Sequence, residues 1–293
     1  KEGSMRAFLF LVLISLVAPF LGAVQAQDVR PAAADTVRSL TEIELRDGSR
    51  FVGTVVSETD TQLILVTTGG TEVRIEKSQI VSRRVVSGRS RDGDFRQFDP
   101  NGTRLFFGPT GRSLEKGRGY VADYYVVFGF VAYAITDRVT LAGGTFLIPQ
   151  AVGDLIYVAP KVTLIERGSD AGSVGVLAGM VKNETAGILY GAWTHGRPDG
   201  ALTLGLGFGF GNGKFASDPV IMLGGEKAMG RNTKFIGESY LIPTAGGGAW
   251  VMGGVRFFGS RLAADLGLMG FVGADDGGFP ALPWLGFSYN FGQ

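Results

Sequence analysis

The clearest periodicity in the chain is ALTLGLGFGFG, residues 201–211, where apolar and bare positions alternate without a break. Leu202, Leu204, Leu206, Phe208 and Phe210 fall on one side, and Thr203, Gly205, Gly207 and Gly209 on the other. Side chains alternate across a strand with period two, so the pattern predicts a strand with one greasy face and one nearly naked face. A soluble sandwich carries Lys, Glu and Thr on its outer face. A barrel in lipid instead needs apolar residues outward and small or polar residues toward the lumen. Similar segments recur at membrane-crossing spacing over 103–109, 120–136, 138–148, 154–166, 173–183, 186–195, 201–211, 219–229, 233–242, 249–258, 261–272 and 280–291. The expected fold is all-β: an antiparallel transmembrane β-barrel of about twelve strands, ten being the alternative, over 103–293.

The connections fit that count. Tight polar turns at Thr136-Asp137-Arg138, 169–172, 197–200, 230–232 and Gly259-Ser260 alternate with looser segments. Placing the tight turns in the periplasm makes the last strand run inward. An even number of strands then starts the first one in the periplasm and makes 110–119 the first outer loop. The parity closes only when 103–109 is counted as a strand.

Three regions precede the barrel. Residues 1–26 hold Met5, Arg6, an apolar run from Ala7 to Val24 and a small-residue site at Ala26, the pattern of a secretory signal peptide. Residues 39–86 alternate over short strand-like pieces punctuated by Asp47-Gly48, Thr59-Asp60 and Gly69-Gly70, the chemistry of hairpin turns. The succession Ile43-x-Leu45-x-Asp47-Gly48-Ser49, Gly53-x-Val55, Leu63-x-Leu65-x-Thr67, Val73-x-Ile75 and Ile80 resembles an Sm-like or SH3-like module. Sm folds often bind RNA, but this one follows a signal peptide and offers no aromatic stacking platform, so no nucleic acid is expected. A periplasmic protein or other envelope partner, or a spacer role, is the expectation for it. Residues 87–102, with mixed Arg and Asp, read as a solvated linker.

Composition sharpens this picture in two ways. With 47 glycines in 293 residues and no Gly-x-y period, glycine here marks bare strand faces. With 28 basic and 27 acidic residues, no global field recruits an anionic polymer. The absence of cysteine removes disulfides, thiol nucleophiles and thiolate metal sites.

Asn101-Gly102-Thr103-Arg104-Leu105-Phe106-Phe107-Gly108-Pro109-Thr110-Gly111-Arg112-Ser113-Leu114, then Lys116-Gly117-x-Gly119-Tyr120 and later Ile135-Thr136-Asp137, resembles a recurring segment of outer-membrane barrel proteins of Bacteroidota and related bacteria. The resemblance implies a location in the bacterial outer membrane and no activity. The ending Leu285-x-Phe287-x-Tyr289-x-Phe291 is similar to the aromatic strand signal read by the barrel-insertion machinery, although Gly292 and Gln293 follow it.

Candidate chemistry is sparse, and no enzyme, cofactor or metal is expected. The single histidine, His195, adjoins a tight turn, and neighbouring Thr194 points to the opposite face. The glycines before Lys214 lack the spacing and the Ser/Thr of a phosphate loop. The expected functional set is a lumen charge cluster of Lys161, Glu226, Glu238, Arg256 and Asp265, because charge facing lipid costs about 2–4 kcal/mol near the midplane. Arg256 is expected between strands carrying Glu238 and Asp265, as an inner-wall ion-pair cluster or a pore constriction. Trp193, Trp250, Trp284, Tyr120, Tyr124 and Tyr125 are expected in the interfacial aromatic belts. The leading function is a passive or solute-selective channel surrounded by outer-membrane lipid. The alternative is a closed barrel that anchors a periplasmic interaction domain.

Overall fold

The computed structural model describes residues 36–91, 94–148, 155–181, 184–242, 248–273 and 281–292. The expected signal peptide lies outside the described residues. The first sheet is built from β1 (Thr36–Leu45), β2 (Arg50–Glu58), β3 (Gln62–Thr67), β4 (Glu72–Glu76), β5 (Ile80–Arg91) and β6 (Asp94–Gln97). Its order is β4-β3-β2-β1-β5-β6, antiparallel throughout. Ile43, Leu63, Leu65 and Ile75 form its core, and Gly48 and Gly70 supply positive φ at two turns. The expected linker is therefore largely sheet. β5 runs on beside β1 as far as Arg91, with Ser87 opposite Ser39, and β6 pairs back onto it. Mixed charge reads as solvated loop, but a hydrogen-bonded ribbon can carry it as well.

The second sheet closes on itself. Its strands are β7 (Gly119–Tyr124), β8 (Phe128–Ala134), β9 (Val139–Phe146), β10 (Leu155–Val158), β11 (Lys161–Arg167), β12 (Asp170–Val181), β13 (Glu184–Arg197) and β14 (Gly200–Gly211). They are followed by β15 (Lys214–Phe215), β16 (Val220–Ala228), β17 (Thr233–Ile242), β18 (Gly248–Phe258), β19 (Leu262–Gly273) and β20 (Leu282–Phe291). β10 and β11 both pair with β9 and β12 and form one stave interrupted at Ala159-Pro160, since proline has no N–H for the ladder. β15 is a short return on β14 after Asn212-Gly213. β20 pairs with β7, Phe291 opposite Gly119, so the barrel is closed with twelve staves. Closure leaves no strand edge for lipid to face, the condition a sheet must meet to span a bilayer.

β14 shows the facing that its alternation predicts. Leu202, Leu204, Leu206 and Phe208 are exposed on the outside, while Ala201 and Thr203 are buried inside. The same outward band carries Val121, Leu141, Val162, Leu189, Leu266, Leu285 and Phe287, all exposed. An apolar belt around a closed antiparallel barrel is the signature of an outer-membrane protein. No helix among the described residues is long and apolar enough to cross a membrane.

Two expectations about the start of the barrel are corrected, and they cancel in the count. Residues 120–136 are not one strand but the hairpin β7–β8, turning over 125–127. Tyr125 and Val126 each have φ 58°, Asp123 Oδ1 accepts the Val126 N–H at 2.7 Å, and the Tyr124 carbonyl accepts the Val127 N–H at 3.1 Å. Without Gly, Asn or Pro, such a turn leaves no sequence signal. Residues 103–109 are not a wall strand, and 110–119 is not an outer loop. The wall begins at Gly119, and everything from Phe98 to Arg118 lies inside the barrel or at its mouth. That mouth bears the short turns and the small sheet, and it is the periplasmic end in barrels of this class.

Candidate functional site

The segment inside the lumen is a small hairpin. Leu105 N–H bonds the Gly108 carbonyl at 2.8 Å, Thr110 N–H bonds the Thr103 carbonyl at 3.0 Å, and Arg104 bridges Pro109. Its tip residues Leu105 and Phe106 are fully buried against Tyr124, Ile236, Met252 and Trp284. Bare positions on the wall and on the inserted segment let the two approach closely. A Cβ on Gly224 would stand 2.1 Å from Leu105 Cδ1, and one on Gly111 would stand 2.1 Å from the Ala171 carbonyl oxygen. Part of the glycine that reads as an open lumen thus accommodates this hairpin.

Each of the five expected lumen charges faces inward and binds the hairpin or its flanks. Lys161 Nζ donates to the carbonyls of Thr103 at 3.2 Å, Thr110 at 3.2 Å and Arg112 at 2.7 Å. Glu238 accepts the N–H groups of Phe106 at 2.8 Å, Phe107 at 3.1 Å and Gly108 at 2.8 Å, together with the Tyr240 hydroxyl at 2.5 Å. Three successive N–H groups converging on one carboxylate are charge-assisted bonds, about twice as strong as neutral ones. Arg256 is wholly buried. It reaches Asp265 through Nε at 2.5 Å, Asp99 through Nη1 at 2.9 Å and the Leu105 carbonyl through Nη2 at 2.5 Å. Asp265 also accepts Arg104 at 2.9 Å. Glu226 accepts Arg112 and Lys234, and Lys234 also reaches Asp99.

Arg256 on β18 lies, as expected, between the strands that carry Glu238 and Asp265, and the register adds which residues stand opposite it. It stands opposite Asp265 on β19, but on β17 its cross-strand partner is Lys234, while Glu238 stands opposite Met252. Glu238 is consequently an acceptor for the hairpin backbone and makes no ion pair with Arg256. Sequence reasoning also missed Lys234, Asp99, Arg104 and Arg112. Lys234 shares the inward parity of Ile236 and Glu238, so the alternation could have found it. The other three lie on a segment assigned to a linker, a wall strand and a loop. Near the mouth, Asn101 completes the polar set with Asn290 and Ser288.

Burial on this scale requires pairing. Isolated charges in a dry interior cost several kcal/mol each, and removing one partner of a buried pair typically costs about 3–5 kcal/mol. Here Asp99, Glu226, Glu238 and Asp265 stand among Arg104, Arg112, Lys161, Lys234 and Arg256, so the charge nearly balances. The arrangement cross-links the hairpin to β11, β16, β17, β18 and β19.

The expected aromatic belt is corrected for three residues. Tyr120, Tyr124 and Trp284 are buried inside, with Arg104 Cζ 5.8 Å from the Tyr120 and Tyr124 ring centroids, whereas Trp193 is outward and 48% exposed. His195 is exposed beside the β11–β12 turn, with Nδ1 3.0 Å from Asp170 Oδ1, and stacks on Trp193. No group of three or more His, Cys, Asp or Glu side chains among the described residues could hold a metal.

No protein-family model matches the chain, and no curated protein matches it. Solved structures similar to it include a KdgM porin, at 7% identity and TM-score 0.46 over 59% of this chain and 98% of that one. Outer-membrane expressed OmpT of Vibrio cholerae is similar at 14% identity and TM-score 0.34, over 90% of this chain and 100% of its own. An anion-selective porin from Comamonas acidovorans is similar at 12% identity and TM-score 0.34, over 88% and 100%. Likeness at this level concerns the barrel fold alone, and the closed strand register carries the conclusion that the chain is an outer-membrane β-barrel.

Proposed function

We propose that the protein is an outer-membrane channel held shut by its own segment 98–118, which is continuous with the periplasmic sheet and withdraws toward it on opening. The observation that carries this reading is the way the segment is bound. Polar groups of Lys161, Glu238, Arg256, Glu226 and Lys234 hold backbone and charged groups of the insert. A permanent filling is better made from apolar side chains, since replacing buried ion pairs by well-packed hydrophobes is often neutral or stabilising. An ionic seat can be rehydrated and left. In this reading the charge cluster is the latch of the channel. The small sheet, of Sm-like kinship, is the handle through which a periplasmic protein or other envelope partner pulls, and outer-membrane lipid and the insertion machinery are the remaining partners.

The second reading is a closed barrel that anchors the small sheet, and the density of buried pairs favours it. Conductance of the folded chain in planar bilayers separates the two. A mostly silent protein, together with stable steps when residues 103–112 are replaced by a short Gly-Ser linker, supports the shut channel. Silence from both correctly folded proteins overturns it in favour of the anchor.

A further inference from the structure

Above the hairpin, toward the end bearing the longer loops, the lumen keeps a cavity of about 170 Å³. A cavity of about 150 Å³ is enough for benzene, so this one is sized for a single ring or a short alkyl chain. Its lining is mainly apolar, with Phe107, Phe130, Leu177 and Met222 among the side chains. The charged residues on that lining, among the described residues, are Arg104 and Lys161, both cations. Arg104 spends Nη1 on the Leu105 and Phe106 carbonyls and on Asp265, yet its Nε is buried without a hydrogen-bond partner. Lys161 is surrounded by carbonyl dipoles, and no carboxylate of the described residues lies within ion-pair distance of it. Tyr157 and Tyr190 also line the space, and their hydroxyls make no hydrogen bond to the described residues. The Tyr240 hydroxyl is committed to Glu238.

An apolar cleft with a few convergent polar groups is the usual form of a small-molecule site. The polarity here is one-sided: N–H and O–H donors and, at Lys161, a positive charge with no carboxylate beside it at the floor, hydrocarbon and aromatic faces above. We propose that the cavity binds a small monocarboxylate carrying one apolar ring or a short alkyl chain. The carboxylate takes a tyrosine hydroxyl at the floor beside Lys161 and Arg104, and the apolar part fills the space between Leu177 and Met222. This site stands whether or not the barrel conducts, because it belongs to the state with the hairpin in place.

The test uses the full chain folded in lipid nanodiscs, with 4-fluorobenzoate as the probe and its fluorine line width as the readout. Saturable broadening is expected, and 4-fluorotoluene should bind at least about tenfold more weakly, the usual penalty when a charge-assisted hydrogen bond is lost. Ala142→Trp, which places a ring in the cavity, should abolish binding in a barrel that still shows folded gel mobility. Tyr190→Phe and Tyr157→Phe disturb folding least, and one of them should weaken binding about threefold to tenfold. No saturable binding overturns the site, as does equal binding by a folded Ala142→Trp barrel. Fluorotoluene binding as tightly as fluorobenzoate overturns the carboxylate assignment, and unchanged affinity in both Tyr190→Phe and Tyr157→Phe overturns the role of a tyrosine hydroxyl.

Discussion

The two halves of the lumen are lined by the same staves and obey the same alternation, yet they do opposite things. Toward the periplasmic mouth, inward positions carry Lys161, Glu226, Lys234, Arg256 and Asp265, and the space is filled by residues 98–118. Toward the outer end, inward positions carry Phe130, Leu177, Tyr190 and Met222, and a cavity remains. Charged walls therefore go with occupied space and apolar walls with free space. With the segment in place, the barrel is filled below and keeps a pocket above. The charges have partners because the segment brings Asp99, Arg104, Arg112 and a row of backbone N–H and C=O groups to them.

The largest test of this contrast is Arg256→Ala. It leaves Asp99 and Asp265 buried with only part of their compensation, so stability should fall by about 3–5 kcal/mol in urea unfolding from lipid vesicles. A loss below about 1 kcal/mol would mean that water already reaches the lower half. Glu238→Gln is gentler, because the amide keeps one oxygen for the hairpin but loses the charge. Expected is a loss of about 2 kcal/mol and faster amide exchange at Phe106, Phe107 and Gly108, with exchange elsewhere in the wall unchanged. Uniform acceleration over the barrel would instead assign Glu238 to global stability.

Gly224→Ala probes the steric half of the seat. The new methyl would meet Leu105 Cδ1, so a cost of about 2 kcal/mol is expected. Leu105→Ala in the same chain should return part of that loss, and the coupling measured by the double-mutant cycle is the quantity of interest. Additive effects would show that the wall and the hairpin tip are not in contact.

The wall was legible because lipid enforces it. Leu202, Leu204, Leu206 and Phe208 must face outward wherever the strand lies in the barrel, and a period of two records that demand residue by residue. Glu238, Arg256 and Asp265 were recognisable as inward residues from the same parity. What alternation does not encode is what lies opposite a face across the lumen. Gly205 beside the cavity and Gly224 beside Leu105 look alike in a strand pattern. Residues 103–109 alternate like a strand because they form a hairpin, but this one is inserted in the barrel with its hydrogen bonds made to Glu238 and Lys161. The stretch that carries the resemblance to other outer-membrane proteins is largely this insert. Parity fixes the face and not the register, so it names the strand of Glu238 as a neighbour of Arg256 without showing that Lys234 is the residue opposite.

The smallest expected effect concerns the outer half alone. The turn over 125–127 holds Tyr124 against the hairpin and the cavity, and it is tied to the last stave by Tyr125 N–H to the Leu285 carbonyl at 3.1 Å. Val126 adopts φ 58°, a conformation that costs a β-branched residue roughly 1–2 kcal/mol, while its side chain is 71% exposed and loses little by removal. Val126→Gly relieves that strain but enlarges the entropy of the unfolded chain by about 0.5–1 kcal/mol, so a net gain of about 0.5 kcal/mol is expected. The urea midpoint should rise slightly, while amide exchange in the lower half stays unchanged. A fall in the midpoint would place the cost elsewhere and show that Val126 is held by contacts its exposure does not reveal. Unchanged exchange at Phe106 to Gly108 in the stabilised protein would show that the two halves of the lumen respond independently. Slower exchange there would couple the outer turn to the seat through Tyr124, which packs in one cluster with Leu105 and Phe106.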